Sequence, residues 1–268
     1  MNNKILLVTS HQLQDVLREP LVILIALILI GLSIINGAAS AKQVHLADLQ
    51  LTDPSDHFFS IGISNALYHT SILLSALSMF IGALTIAEEK ADGSLRVLNT
   101  KPVYRRDVYV GKFAGLSAFL LLLTIVITML CASTLMIFYR SPYSTEEFII
   151  RMATFTVVIF LSCVLTLGIS MLIGIWLNNL LSILIYIGTF LCLDWFFTLP
   201  RTFEMLRLLI PTSLYYTIIE GGGGRTILNT ANAFPLWLDG ALPFIMFMII
   251  EIAVVFVVSS NIISRSEL

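Results

Sequence analysis

Residues 113–138 read FAGLSAFLLLLTIVITMLCASTLMIF. No charged residue and no proline interrupts the run. A bilayer core about 30 Å thick is crossed by roughly 20 apolar residues in a helix. The run does not alternate like a barrel strand, and lipid does not tolerate unpaired backbone, so it is read as a membrane-spanning helix. Five further segments approach the same pattern: Leu21 to Ser40, Leu67 to Ala87, Met152 to Trp176, Leu180 to Leu199 and Ala241 to Ser260. The expected fold class is therefore an all-α membrane protein, a bundle of six transmembrane helices in one domain over residues 1–268.

Composition agrees. Of the 268 residues, 57% are hydrophobic and 12% charged, against about 25% charged in soluble domains. Mean hydropathy is +0.94. The formal net charge of −2 argues against nucleic acid as a partner. Cys131, Cys163 and Cys192 lie inside apolar runs without CxxC spacing, which points to small buried hydrophobes rather than a zinc site or disulfide framework. The start, MNNKILLVTSHQLQDVLREP, lacks the apolar length and small-residue cleavage site of a signal peptide.

That N-terminal stretch is amphipathic. Lys4, His11, Asp15 and Arg18 share one side of a helix, and Leu6, Leu13, Val16 and Leu17 the other, up to Pro20. Residues 1–19 are expected to form an interfacial helix lying in the headgroup region, since a span begins directly after it.

Lysine and arginine set the orientation. With both termini cytosolic, nine of the fifteen basic residues lie inside, and six of those nine fall in one loop, Glu88 to Lys112. Two outer segments are long. Ala41 to Ala66 holds Asp48, Asp53, Asp56, His45 and His57. Residues 200–240 hold short apolar stretches broken by Pro211, Gly221 to Gly224 and Pro235. The short apolar stretches of this second segment are expected to form re-entrant or interfacial helices capping the outer end before the last span, with the glycines as a hinge.

The loop EEKADGSLRVLNTKPVYRRDVYVGK, residues 88–112, carries the most information about function. Glu88, Glu89, Lys90 and Asp92 mark the exit from lipid, and Gly93 is a natural helix stop. Ser94 is suited to cap a short helix with Leu95, Val97 and Leu98 on an apolar edge. Pro102 fixes a second turn, and Arg105 and Arg106 precede the next helix. Such an element fits a cleft on a separate cytosolic protein. The plainer reading is a basic anchor loop that satisfies the positive-inside rule.

The order acidic residue, Gly-Ser-Leu, Pro-x-x-Arg and Gly-Lys is carried here by Glu88 or Glu89, Gly93, Ser94, Leu95, Pro102, Arg105, Gly111 and Lys112. It resembles the cytosolic loop of export-class ABC transporter permeases with the type V fold. The flat N-terminal helix, six spans and long outer segment extend the resemblance along the chain. Pro211-Thr212-Ser213-Leu214-Tyr215 resembles the permease of the nitrous-oxide-reductase maturation transporter subgroup. Family members commonly carry a Leu-Leu-Ser-like stretch before the proline, where this chain has Leu98-Asn99-Thr100-Lys101.

The resemblance implies a multi-pass protein of a prokaryotic plasma membrane. It also implies a second permease subunit, read as a homodimer, and a cytosolic P-loop ATPase subunit that binds ATP and Mg. No cofactor is expected in this chain and no enzymatic activity, because GxxxxGK[ST] is absent. The stretch Asp92 to Asn99 would be the coupling helix, shaped by Gly93 and Pro102 and docked by Leu95 and Leu98. Arg96, Arg105 and Arg106 would face the ATPase or lipid phosphates.

Polar residues inside the spans form a second candidate set. Asp194 lies late in the fifth span and Glu251 near the middle of the sixth, and a charge at that depth costs several kcal/mol, marking a functional site by default. Asp194 sits beside Trp195, an interface residue. Glu251 is open to three roles: lining a path, pairing across a dimer, or staying protonated on a serine or threonine. A structural or dimer-packing role is favoured. His45, His57 and His69 lack a close pair and read as solvated residues, and the nine methionines read as apolar filler. Ser162, Gly168, Ser170, Gly174 and Gly188 suit close helix packing. The rival classes are an ion-coupled secondary transporter or channel, using Glu251 and Asp194, and a membrane scaffold for a cytosolic partner.

Overall fold

The structure, a computed structural model, describes residues 2–48, 57–91, 105–139, 141–142, 144–177, 180–196, 208–221, 226–229 and 233–265. Helix α1 covers Asn2–Arg18 and α2 Pro20–Asp48. Helix α3 covers His57–Ala91, α4 Arg105–Phe138 and α5 Thr145–Trp176. Helix α6 covers Leu180–Phe196, α7 Pro211–Ile219 and α8 Phe234–Arg265. Every regular element among the described residues is helical.

Five of these helices are long and apolar enough to cross a membrane: Val22–Gln43, Ile61–Ile86, Arg106–Phe138, Thr145–Trp176 and Phe234–Ser264. They correspond to five of the six expected spans. The other expected span, Leu180 to Leu199, holds α6, whose 17 residues are fewer than the roughly 20 a crossing takes.

The helices outrun the apolar segments. Within Ala41 to Ala66, residues 41–48 continue α2, and 57–66 open α3. Ala41, Ala66 and Leu67 are fully buried, so these ends pack on the bundle. The second outer segment does hold a short helix, α7, begun by Pro211 at a position where a missing N–H costs nothing.

The core centres on α3 and α5, which pack along their length. Ser78 donates to Thr166 Oγ1 across them at 3.1 Å. A Cβ on Gly82 would collide with Ser170 Oγ, and one on Gly174 would meet Ile86 at 3.1 Å. Small residues thus set this approach, and the expected packing roles of Ser170 and Gly174 are filled. Gly168 is packed likewise, against Val255 of α8 at 3.1 Å. Gly188 differs: a Cβ there would meet nothing within 4 Å. On the far side of the bundle α2 packs against α3 and α4. Gly37 abuts Thr134 there.

Candidate functional site

The interhelical loop of greatest interest leaves α3 at Ala91 and returns in α4 at Arg105. Gly93, Ser94, Leu95, Arg96, Leu98 and Pro102 lie outside the described residues. Glu88 and Glu89 belong to the last turns of α3 and Arg105 opens α4, their side chains not being described. What the structure does describe is the base on which that loop stands. Arg106 is exposed, Asp107 sits in the first turn of α4, and Lys112 is half-buried one turn further. Asp107 is favourably placed there, because the helix start carries partial positive charge.

Two contacts hold this base. Tyr109, 2% exposed, lies 6.3 Å from Phe113 and 6.0 Å from Phe256 of α8, ring centre to ring centre, and Phe113 lies 5.2 Å from Phe256. These three rings pin the start of α4 to the end of α8. On the other side, Gly115 lets α1 lie against α4: a Cβ there would be 2.9 Å from the Thr9 carbonyl and 3.0 Å from Gln12 Cβ. Val16 of α1 is buried, while Leu6, Leu7 and Leu17 are exposed. The N-terminal helix is therefore both packed on the bundle and open along an apolar strip. The α4 base is thus packed against both α1 and α8.

The opposite end of the bundle is closed by α7. The Trp237 indole, fully buried, donates to the Ile218 and Ile219 carbonyls at 3.1 Å each, satisfying the end of α7 from α8. Gly221 follows with φ 57°, and a Cβ on Gly240 would collide with its carbonyl oxygen. Both glycines are required there, one by conformation and one by approach. Arg151, 1% exposed, donates from Nε to Glu147 at 3.0 Å and from Nη1 to the Ile227 carbonyl at 2.6 Å. Its guanidinium stands 5.7 Å from the Phe234 ring centre. The Tyr215 hydroxyl bonds Ser71, and burial raises its pKa.

Nothing in the sequence pattern singled out Arg151, Trp237 or Gly240. The Glu147–Arg151 spacing of four was the available signal.

The intramembrane candidates separate. Asp194 lies in the last turn of α6, its side chain not described. Glu251 is half-buried on α8, and its Oε2 is enclosed without a hydrogen-bond partner. The structure does not bring the two together in any described contact, as the ion-relay rival requires. His45 packs edge-on against Tyr139, ring centres 6.4 Å apart. The side chains of His57 and His69 are not described.

The profile of the ABC-2 family transporter proteins matches residues 6–267, nearly the whole chain. The chain belongs to the ABC-2 transporter family. It is a multi-pass membrane permease subunit, and an ABC-2 permease domain has no ATPase activity of its own. ABC-2 permeases generally pair with an ABC ATPase. No curated protein matched the chain.

Proposed function

We propose that this ABC-2 permease is the membrane half of an exporter of the type V class, driven by a separate cytosolic ATPase that binds ATP and Mg. Residues 92–99 act as the coupling element, shaped by Gly93 and Pro102, with Leu95 and Leu98 entering the ATPase cleft. The carrying observation is the braced α4 base. Gly115 seats α1 on α4, and Tyr109, Phe113 and Phe256 join α4 to α8, so a push delivered to the start of α4 would be felt by three helices. A loose anchor loop needs no such bracing. Both termini lie in the cytosol of a prokaryote, and α6 completes a sixth span.

A second permease subunit covers α6. Ile183 and Phe190 pack it on Met79 and Ala83 of α3, whereas Ser182, Tyr186 and Thr189 are exposed and the flank of Gly188 is open. Hydroxyls on the outward face of an apolar helix are better met by another polypeptide than by acyl chains. The same face supports the homodimer reading. Pro211 to Tyr215 supports a likeness to the nitrous-oxide-reductase maturation permeases.

The test is a pull-down of the tagged chain from mild detergent, with mass spectrometry. A P-loop ATPase is expected with the wild type and absent with Gly93→Trp or Leu95→Asp, both still inserted in the membrane. Transport unimpaired in Gly93→Trp would remove the coupling role.

A further inference from the structure

Segment 226–229 makes a turn, its Asn229 N–H donating to the Thr226 carbonyl at 3.0 Å. Its two apolar residues, Ile227 and Leu228, are buried. Ile227 is held through both backbone groups. Its N–H donates to the Ile219 carbonyl of α7 at 2.9 Å, and its carbonyl accepts from Arg151 Nη1 of α5 at 2.6 Å. The Arg151 guanidinium also stands over Phe234, in the first turn of α8, whose ring stacks on Trp237 with centres 5.6 Å apart. One buried cation thus gathers α5, this strap and the start of α8.

A buried ion pair holds a fold no more firmly than well-packed apolar residues of the same volume, because desolvating the charges offsets their attraction. A tie made for stability alone needs no arginine. What an arginine adds is a fixed seat and a way out of it. Nε bonds Glu147 while Nη1 bonds Ile227, so the planar guanidinium sets one register for the strap. Glu147 is 38% exposed, so water reaches the pair from one side. The guanidinium can leave the Ile227 carbonyl and remain paired with Glu147, a second seat that an apolar anchor lacks. The strap then parts from α5 while staying joined to α7 at Ile219. Helix α5 is also the one packed along α3, which leads into the coupling loop. We propose that Arg151 is the latch of this end of the permease: it holds segment 226–229 on α5 at rest, and release of the Ile227 carbonyl is part of the opening step in transport. The proposal rests on the exporter reading, which puts this end outside and the ATPase at the other.

The test uses the chain carrying Leu228→Cys, with its co-purified ATPase, in nanodiscs. A thiol buried there reacts only when the strap opens, and peptide-level mass spectrometry separates it from Cys131, Cys163 and Cys192. The probe is a sulfonated maleimide. With Arg151 in place, labelling is expected to be slow and to quicken on adding ATP and Mg. Arg151→Met is expected to label at least about tenfold faster without ATP, and to respond little to ATP thereafter. Arg151→Lys keeps a charged donor and is expected to fall between. Ile127→Val, a buried truncation of comparable cost within α4, is expected to label as the parent does. Slow labelling in Arg151→Met overturns the latch. Equal quickening in Ile127→Val overturns it too, because the whole bundle is then loosened. Labelling that ignores ATP, in preparations that hydrolyse it, makes the strap a fixed part of the cap and removes the role in opening. Missing ATPase sinks the exporter reading instead, and the Arg151→Met arm still decides whether the cation holds the strap.

Discussion

Arg151 and Glu147 form a pair whose halves are unequally exposed. The arginine is 1% exposed and the glutamate 38%. Removing the arginine leaves a carboxylate that water can reach, whereas removing the glutamate takes the counter-charge from a buried cation that keeps its bond to the Ile227 carbonyl. Glu147→Ala is therefore expected to destabilise more, by about 3 kcal/mol, and Arg151→Met by about 1–2 kcal/mol. Thermal unfolding in detergent of the two variants checks the order, and the reverse order would show that Arg151 is hydrated. Trp237→Phe keeps the ring volume and loses the donor to the Ile218 and Ile219 carbonyls, at an expected cost of about 1 kcal/mol in the same measurement.

At the scale of the helix, the close approach at Gly115 separates packing from lipid contact. Gly115→Leu forces side-chain atoms into the Thr9 carbonyl and Gln12, so α1 must lift from α4. Its Leu6, Leu7 and Leu17 are exposed already and keep their surroundings. The variant is expected to insert normally, to retain the ATPase, and to lose most coupled transport. Transport near the wild-type rate with α1 crosslinkable away from α4 would show that the contact is dispensable.

The same helices show what the sequence could reveal. Apolar runs report where lipid lies, so the cores of α2, α3, α4, α5 and α8 were legible from composition. Their ends were not, because Lys42 to Asp48, His57 to Ser60 and Arg105 to Lys112 are polar enough to resemble loops yet contain nothing that stops a helix. Glycine contacts were partly legible. Gly168 and Gly174 stand out as small residues, but Gly82, Gly115 and Gly240 acquire their roles from a partner element far along the chain. Glu251 stood out because a charge in an apolar run is visible in one dimension. That its Oε2 is enclosed without a hydrogen-bond partner among the described residues required three.

For the whole molecule, the braced start of α4 and the clamped cap lie at opposite ends of a core built on α3 and α5. Gly82→Leu would collide with Ser170 and part that central pair, so both ends should fail together: lower thermal stability, and transport lost even where the ATPase is retained. An intact cap with failure confined to the loop end would show that the two ends work independently.

The seat of α1 on Gly115 also has a consequence for how the protein is made. Helix α1 rests on a helix whose contact residue is synthesised about a hundred positions later, several seconds at ordinary elongation rates. Until then the α4 contact of α1 is unmade, and Val16 as well as its exposed leucines are uncovered on that side. Chains arrested before residue 105 should show α1 open to added protease at the membrane, and chains extended past residue 138 should show it protected.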